Sequence, residues 1–245
     1  MKGLSQKIVV MTGASGGIGQ ALALRFSEEG ASLHVIGRNR RSLQLLGENP
    51  KNPSSPMSYY QADLTNDTDL TALEDTLKTN LDHIDVLIHC AGALMLGRME
   101  ESAVNDLDEQ YRINVRAPYA LTKALLPLMK SCKGQMVFIN SSIWQHARAG
   151  IGQYAATKYA LKAIADSVRD EVNADGIRIL SVYLGRTATP MQEAVHTKEG
   201  LPYQPEYLIQ PDDVATTVLT MLSLPRTSEV TDIHIRPMKK APPSR

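Results

Sequence analysis

The sequence predicts an α/β protein in which one parallel sheet is covered by helices on both faces. Short apolar and β-branched runs alternate with longer amphipathic segments along nearly the whole chain. This alternation is typical of repeated βαβ units. A chain of 245 residues without an evident linker is long enough for one large α/β domain. We therefore predict a single doubly wound domain over residues 1–245, with a substrate lid at about 190–210.

Each predicted strand is a short apolar run, and each predicted helix carries an apolar stripe with helical spacing. The strands are placed at about 7–11, 32–36, 57–61, 86–90, 135–140, 177–183 and 232–235. The helices are placed near 17–29, 39–47, 67–79, 102–130, 153–174 and 212–223. The proline-rich segment 49–56 is predicted to be a surface loop, and residues 239–245 a solvated tail. The segment 190–210 is predicted to be a loop.

Composition narrows the classes of partner. Lys plus Arg and Asp plus Glu number 26 each, so the formal net charge is zero and nucleic-acid or membrane-surface binding is not indicated. No apolar run approaches a membrane span, and the first residues lack the features of a signal peptide, so we expect a cytoplasmic protein. The two cysteines and six scattered histidines show no metal-ligand spacing, and we expect no metal. We therefore expect the binding partner to be a small molecule.

A glycine-rich stretch, Thr12-Gly13-Ala14-Ser15-Gly16-Gly17-Ile18-Gly19, follows the first predicted strand and opens the first predicted helix. A strand, a glycine turn and a helix N-terminus in that order aim backbone N–H groups and the positive end of the helix at a pyrophosphate. The βαβ context favours a dinucleotide site. The alternative is a tight strand–helix connection without a ligand.

Tyr154 and Lys158 lie four residues apart in the predicted helix 153–174, so their side chains share one helix face. A positive charge about 4 Å from a phenol, in an effective dielectric of about 20, favours the phenolate by about 4 kcal/mol. We therefore expect the lysine to lower the pKa of the tyrosine, which suits the phenol for acid/base catalysis. This spacing alone is weak evidence for a catalytic pair, because a tyrosine and a lysine four residues apart occur on many solvated helices.

These motifs occur in a fixed order that resembles the short-chain dehydrogenase/reductase family over roughly residues 5–236. The resemblance is carried by the motifs Thr12-Gly13-x-x-x-Gly17-x-Gly19, Asp63-Leu64, Ala91-Gly92, Asn114, a serine after the fifth strand, Tyr154-x-x-x-Lys158 and Gly185-x-x-x-Thr189. It implies a Rossmann-like fold. It also implies an NAD(P)-dependent oxidoreductase that interconverts CH–OH and C=O groups.

The resemblance also implies catalytic roles. Tyr154 would exchange a proton with the substrate oxygen, Lys158 would lower the tyrosine pKa and hold the nicotinamide ribose, and Asn114 would sustain a water chain from the lysine to solvent. A serine would stabilise the developing charge on that oxygen. Ser141 precedes Tyr154 by thirteen residues, the common family spacing, and is favoured. Ser142 remains open, because many relatives end this strand in two serines and use the second.

The cofactor contacts implied by the resemblance involve the following residues: Gly13, Ser15, Gly16, Gly17, Ile18, Gly19, Arg38, Asp63, Leu64, Ala91, Gly92, Asn114, Tyr154, Lys158, Gly185, Thr187 and Thr189. The second strand ends in Gly37-Arg38 rather than in the acidic residue of an NAD enzyme, so we expect NADPH to be preferred over NADH. Alternatively, Arg38, Arg40 and Arg41 are solvated charges at the start of a helix. Asp63 is expected to bond the adenine, although it could equally cap a turn.

We expect Ser142, Trp144, Met95 and Met191 to contact the substrate. The aromatic and apolar content of 190–210 favours a hydrophobic carbonyl or alcohol over a sugar or a charged acid. Packing of this segment against the body is an equal alternative. His146 and His196 are expected to be solvated or packed rather than catalytic.

Apolar residues of helices 102–130 and 153–174, together with the resemblance, indicate a homodimer or homotetramer. Two alternatives to the NADP-dependent enzyme are a dinucleotide-binding sensor without catalysis and an NAD-dependent dehydrogenase. A sugar-nucleotide epimerase or dehydratase is disfavoured, because too little chain follows Thr189.

Two departures from the family pattern stand out. His89-Cys90 replaces the usual asparagines before Ala91-Gly92, and we expect fold and catalysis to survive because those asparagines mainly brace the strand. Leu184 replaces the proline before Gly185, which removes a rigid φ angle and is expected to loosen cofactor positioning.

Overall fold

The computed structural model describes residues 4–48 and 54–239, and these form one seven-stranded parallel sheet in the order β3-β2-β1-β4-β5-β6-β7. The strands are β1 (Ile8–Thr12), β2 (Ser32–Gly37), β3 (Met57–Gln61), β4 (Val86–His89), β5 (Gln135–Ser141), β6 (Arg178–Leu184) and β7 (Asp232–Ile235). The predicted doubly wound Rossmann-like α/β fold is confirmed. All six strand pairings are parallel, so the carboxyl ends of the strands lie at one edge of the sheet.

Helices connect the strands and cover both faces. They are α1 (Gly17–Glu28), α2 (Arg40–Glu48), α3 (Asp67–Asn80), α4 (Val104–Tyr111), α5 (Ala117–Lys130), α6 (Gly152–Val172), α7 (Pro190–Glu199) and α8 (Pro211–Leu222). Local sequence signals determine where several of these helices begin or end. Asn66 caps α3 by accepting from the backbone N–H groups of Thr68 and Asp69 at 2.9 and 3.2 Å. None of the described helices is both long and apolar enough to cross a membrane.

Two hydrophobic clusters, one on each face of the sheet, hold the layers together. One joins α1, α2 and α8 to the sheet through residues such as Leu22, Phe26 and Val218, each fully buried. The other joins α3, α5 and α6 through residues such as Leu77 and Leu121. Both faces of the central strands are therefore buried, which explains why β1 and β4 read as continuous apolar runs.

The apolar residues that suggested a subunit interface belong largely to this core. Leu121, Leu125, Met129 and Leu161 are all at most 3% exposed within one chain. They therefore carry no information about oligomerisation. The exposed large side chains on the same helices are aromatic in the main, with Tyr111, Tyr119 and Tyr159 about half exposed.

Two predicted elements differ from the structure. The single helix 102–130 is two α-helices joined by a π-helical turn at Arg112–Arg116. The prediction of a loop at 190–210 was wrong for its first half, where α7 is bounded by Thr189 as cap, Pro190 at its first position and Gly200 in the left-handed conformation at its end. These are ordinary helix-boundary signals. Most of the predicted loop 49–56 and of the tail 239–245 lies outside the described residues.

Candidate active site

The turn between β1 and α1 leaves no room for side chains at two of its glycines. A Cβ atom on Gly13, whose φ is +72°, would lie 2.6 Å from the backbone nitrogen of Ala91. A Cβ atom on Gly19 would overlap the carbonyl of Gly13, whereas one on Gly16 would meet nothing within 4 Å. The start of α1 is thus held against the ends of β1 and β4. Backbone N–H groups face the space beyond the sheet at the point where the strand order reverses.

Thr12 fastens the ends of β1 and β4 to each other. Its buried hydroxyl accepts hydrogen bonds from the backbone N–H groups of Cys90 and Ala91 at 3.1 and 3.2 Å. The same hydroxyl lies 3.4 Å from the carbonyl oxygen of Ile88, to which it donates. The sequence analysis treated Thr12 only as part of a motif, so this bracing role was missed.

A cavity of about 640 Å³ lies above the glycine turn. Most of the residues predicted to bind cofactor line it: Gly13, Ser15, Gly16, Gly17, Ile18, Gly19, Arg38, Asp63, Leu64, Ala91, Gly92 and Thr189. Tyr154, Lys158, Gly185 and Thr187 instead line a neighbouring cavity. Asn114 lines neither of the two. A glycine-rich turn that opens a helix is the kind of site at which the pyrophosphate of a dinucleotide binds.

Arg38, Asp63 and Glu109 are the charged residues that line this cavity. Arg38 is exposed and lines the cavity, whereas Arg40 and Arg41 do not, and Arg41 pairs with Glu48 on the far side of α2. Asp63 accepts from the backbone N–H and the hydroxyl of Thr65 at 3.0 and 2.8 Å. The bond from the Thr65 backbone, with a smaller contribution from the charge of Arg38, lowers the pKa of Asp63. The Asp63 side chain therefore does cap a turn, and it also faces the cavity.

A second cavity, of about 530 Å³, holds the predicted catalytic side chains. Ser141 lies at the end of β5, and Tyr154 and Lys158 lie on the first two turns of α6. Lys158 Nζ lies 5.6 Å from the centre of the Tyr154 ring and donates to the carbonyl oxygen of Ile139 at 3.2 Å. The two cavities share Ile18, Cys90, Gly92, Ala93, Thr189 and Met191. A molecule lying across this boundary would therefore meet both sets of residues.

Asn140 holds two of these residues in place, and the sequence analysis missed it. Its Oδ1 accepts from the backbone N–H of Ser141 at 2.8 Å, and its Nδ2 donates to the carbonyl of Lys158 at 3.2 Å. Asn140 is buried, so these bonds satisfy a side chain that has left water. A single asparagine at the end of an apolar strand could have indicated this role.

The titration behaviour of the pair differs from the expectation. Burial raises the pKa of Tyr154 to about 12, and the hydrogen bond with Ser141 opposes this rise. Burial lowers the pKa of Lys158 to about 8. The expected lowering of the tyrosine pKa by the lysine was therefore wrong. Desolvation dominates because both groups are enclosed and the ammonium is directed to the Ile139 carbonyl rather than to the phenol oxygen.

The two candidate serines have different surroundings. Ser141 is half-buried and hydrogen-bonded to Tyr154, and its Oγ also accepts from the backbone N–H of Ile143 at 3.3 Å. Ser142 is exposed, although it too lines the second cavity. The geometry therefore favours Ser141 as the partner of the tyrosine.

Asn114 lies in the π-helical turn and braces the backbone after β4. Its side chain exchanges two hydrogen bonds with Ala93, accepting at 2.9 Å and donating at 2.8 Å. It also donates to Thr157 Oγ1 at 3.0 Å, one turn from Tyr154 and adjacent to Lys158. The π-helical turn carries the amide to this position. The structure thus ties Asn114 to the backbone of the cleft and to α6.

Two residues predicted to contact substrate lie elsewhere. Trp144 does not line the second cavity and packs against Tyr183 and Tyr159, with ring centres 5.3 and 6.2 Å away. The short 3₁₀ turn after β5 places the indole beside residues of β6 and α6, so the structure does not support the expected substrate contact of Trp144. Met95 lines the cofactor cavity rather than the second one. Ser142 and Met191 do line the second cavity.

Helix α7 closes one side of the cleft and is held at both ends. A parallel bridge joins Thr187 to Ile209, so the segment leaves and rejoins the body at one place. At the C-terminal end of α7, Glu199 accepts hydrogen bonds from the Arg186 guanidinium at 2.6 and 2.9 Å. His196 is buried, with Nδ1 2.8 Å from the Gln192 carbonyl oxygen and Nε2 3.3 Å from Arg186 Nη1, which is a packing role as expected. The sequence analysis missed Arg148, Arg186 and Gln192, which line the second cavity.

The two departures from the family pattern are accommodated. His89 is buried, bonds Thr122 at 2.9 Å and stacks on Phe138, and burial lowers its pKa to about 3. Cys90 lines both cavities, and burial raises the pKa of its thiol to about 12, so it is not a thiolate at neutral pH. Leu184 pairs with Ser141 on one side and Ile235 on the other. Among the described residues, no group of three or more His, Cys, Asp or Glu could hold a metal ion.

Comparison with known proteins gives the family. The profile of the short chain dehydrogenase family matches residues 7–200. An uncharacterised oxidoreductase of Staphylococcus epidermidis is 29% identical over 242 residues, which cover 97% of this chain and 100% of that protein. An uncharacterised oxidoreductase of Staphylococcus aureus is 26% identical over 236 residues, covering 96% and 99%.

Solved structures agree. A protein from Escherichia coli, described as a short chain dehydrogenase and complexed with NADPH, is 28% identical, with a TM-score of 0.86 over 95% of this chain and 98% of that one. An alcohol dehydrogenase from Thermococcus sibiricus, complexed with 5-hydroxy-NADP, has a TM-score of 0.86 over 97% and 99%, and at 23% identity it shows the fold alone. With a family match over most of its length, this chain belongs to the short-chain dehydrogenase/reductase family and is an oxidoreductase of that family.

Proposed function

We propose that this protein is an NADP-dependent oxidoreductase that interconverts a carbonyl and an alcohol, with Tyr154 as the acid/base. One observation carries the proposal: Ser141, Tyr154 and Lys158 converge in a cavity that is continuous with the one above the glycine turn. NADP(H), when bound, would supply or accept a hydride. A substrate at the shared boundary would have its oxygen beside the phenol.

Side chains of the protein then transfer the proton. In carbonyl reduction, the Tyr154 hydroxyl donates its proton to the substrate oxygen, and Ser141 donates a hydrogen bond to the same oxygen. The pKa of Tyr154 is raised to about 12, so the phenol is protonated at neutral pH and carries the proton that this direction needs. Lys158, held by the Ile139 carbonyl, is placed to bond the nicotinamide ribose and to favour the phenolate once the proton has left. Asn114 and Asn140 position this group.

The preference for NADPH rests on Arg38. It is the residue of the three neighbouring arginines that lines the cofactor cavity. A guanidinium there suits a 2′-phosphate, and Gly37, the last residue of β2, offers no carboxylate to ribose hydroxyls. The solved relative from Escherichia coli that contains NADPH supports the same choice.

The substrate end of the cavity is largely apolar, with Leu94, Ile143, Ile151 and Val195 among its lining residues. This supports a substrate with an apolar body. The half-exposed Tyr111, Tyr119 and Tyr159 on the α4–α6 side support a homo-oligomer that covers them.

The test is NADPH oxidation with a panel of aldehydes, ketones, quinones and 3-oxoacyl thioesters. We expect Tyr154→Phe to abolish turnover of any substrate found and to leave NADPH affinity within a few-fold, because only the proton donor is removed. Tyr159→Phe, on the exposed face of the same helix, is the matched control and should behave as wild type. Retention of most of kcat by Tyr154→Phe would refute the assignment of Tyr154, and NADPH binding without turnover of any compound would favour the sensor.

A further inference from the structure

The second cavity carries positive charge at the end that lies away from the cofactor. Arg148, from the loop before α6, and Arg186, after β6, both line it. Among the described residues that line this cavity, none is Asp or Glu. Because neither arginine takes part in the proposed proton transfer, their presence in a mostly apolar cavity calls for another role.

Helix α7 shows how far this end lies from the cofactor. At its start, the Thr189 side chain would lie 3.0 Å from a Cβ on Gly17 in the glycine turn. At its end, Glu199 meets both arginines, at 2.6 Å for Arg186 and 3.8 Å for Arg148. Ten residues of α-helix rise about 15 Å. Glu199, which both arginines approach, therefore lies about 15 Å along the helix from the end that touches the glycine turn.

The charges at the arginine end do not cancel. Glu199 is fully engaged by Arg186, which bonds both of its oxygens. Arg148 reaches the same carboxylate only at 3.8 Å, beyond hydrogen-bonding distance, and its side chain is 59% exposed. In the described part of the chain, the Arg148 guanidinium has no hydrogen bond to a protein group. One carboxylate thus faces two guanidinium groups, and the charge of Arg148 is left for a ligand.

A hollow of about 250 Å³ continues from this end and shares Arg148 and Ile151 with the cavity. It adds Arg98 and Lys198 on the positive side and Glu101 and Glu199 on the negative side. The rest of this cavity is largely apolar, as described above, so a ligand that reaches from Tyr154 to the arginines is expected to have an apolar middle and an anionic far end.

We propose that the substrate is a carbonyl or alcohol compound whose apolar chain ends in a carboxylate, bound by Arg148 with support from Arg186. A planar guanidinium fork matches a carboxylate with two parallel hydrogen bonds. Arg186, held by Glu199 and His196, forms a fixed neighbouring part of the same wall. This proposal rests on the proposed function for the position of the reacting carbonyl, but the carboxylate site itself can be measured without turnover.

Calorimetric titration with saturating NADP⁺, which occupies the phosphate site, tests the carboxylate site directly. Wild-type protein should bind octanoate about tenfold more tightly than octanamide, as expected for a charge-assisted bond. Arg148→Met should reduce this preference to less than about threefold, and Arg148→Lys should retain part of it. Arg226→Met, an exposed arginine outside both cavities, is the matched control and should keep the full preference. Equal affinities in wild type, or a full preference in Arg148→Met, would overturn the proposal.

A turnover experiment separates this proposal from the proposed function. Straight-chain oxo acids and their methyl esters are compared as substrates, and Arg148→Met should raise KM for the acid and leave the ester within about twofold. Tyr154→Phe should stop both reactions yet keep the octanoate preference. Loss of turnover without loss of the preference, or absence of any oxo substrate, bears on the proposed function alone. An ester preferred over its acid by the wild type would contradict the carboxylate site.

Discussion

The two halves of the cleft are built by different means. The cofactor half is formed by backbone: Gly13 and Gly19 let β1, β4 and α1 approach so closely that a methyl group would not fit. The substrate half is formed by side chains from the β5–α6 loop, the β6–α7 connection and α7. A backbone cradle tolerates almost no change at its contact points. A side-chain wall can be altered residue by residue, so specificity is expected to reside there.

The largest effect should come from filling the cradle. Gly19→Ala would place a methyl group onto the Gly13 carbonyl, and Gly16→Ala would place one in open space. We expect Gly19→Ala to lower the free energy of unfolding by about 3 kcal/mol, at the upper end of the cost of overpacking, and to abolish NADPH binding. Gly16→Ala should change stability by about 0.5 kcal/mol or less. Chemical denaturation measures the stability of each variant, and NADPH fluorescence titration measures its cofactor affinity. Equal results for Gly19→Ala and Gly16→Ala would contradict the close contact between Gly19 and the Gly13 carbonyl.

The next largest effect concerns the boundary between the halves. Ser141→Ala should lower kcat by about 10²-fold, or about 2.7 kcal/mol, because a preorganised donor to the developing oxyanion is lost. Ser142→Ala should cost much less, since Ser142 is exposed and not bonded to Tyr154. Steady-state kinetics on a confirmed substrate compares them. A dead Ser142→Ala beside an active Ser141→Ala would show that the thirteen-residue spacing misleads here.

A smaller effect is expected at Arg38, the side chain to which we assign the choice between NADPH and NADH. We expect wild type to prefer NADPH over NADH by at least about tenfold in kcat/KM, or about 1.4 kcal/mol, and Arg38→Asp to reverse the preference. Arg40→Asp makes the same charge change outside the cavity and should keep the preference. Equal kcat/KM values for the two cofactors in wild type would remove the role assigned to Arg38.

The smallest effect is a pH dependence of stability from Lys158. Its pKa is about 8 in the folded protein and about 10.5 when unfolded, so the unfolded chain holds more protons between these values. The free energy of unfolding should therefore rise with pH in this window, by about 1 kcal/mol from pH 7 to pH 9. Lys158→Met should lose this rise. Lys162→Met, one turn along the helix and paired with Asp166, should retain it. Chemical denaturation at pH 7 and pH 9 measures the free energy of unfolding of each variant. A rise with pH that persists in Lys158→Met would show that another group causes it.

The cofactor half was more predictable than the substrate half for a physical reason. Tight turns, cap residues and apolar runs act over a few residues, so the glycine turn and all seven strands could be placed from local sequence. The helix at 190–199 was within reach too, because Thr189, Pro190 and Gly200 mark its ends. The direction of Trp144 and the salt bridge from Arg186 to Glu199 were not, since each depends on contacts between distant segments.

The sequence by itself determined the family, the doubly wound sheet, the position of the glycine turn and the four-residue spacing of Tyr154 and Lys158 on one helix face. Only the tertiary structure decided what surrounds them. Burial raises the tyrosine pKa to about 12, because desolvation depends on the atoms packed around a group and not on its neighbours in sequence. Likewise, two arginines separated by thirty-eight positions meet over one glutamate only after α7 folds back across the cleft.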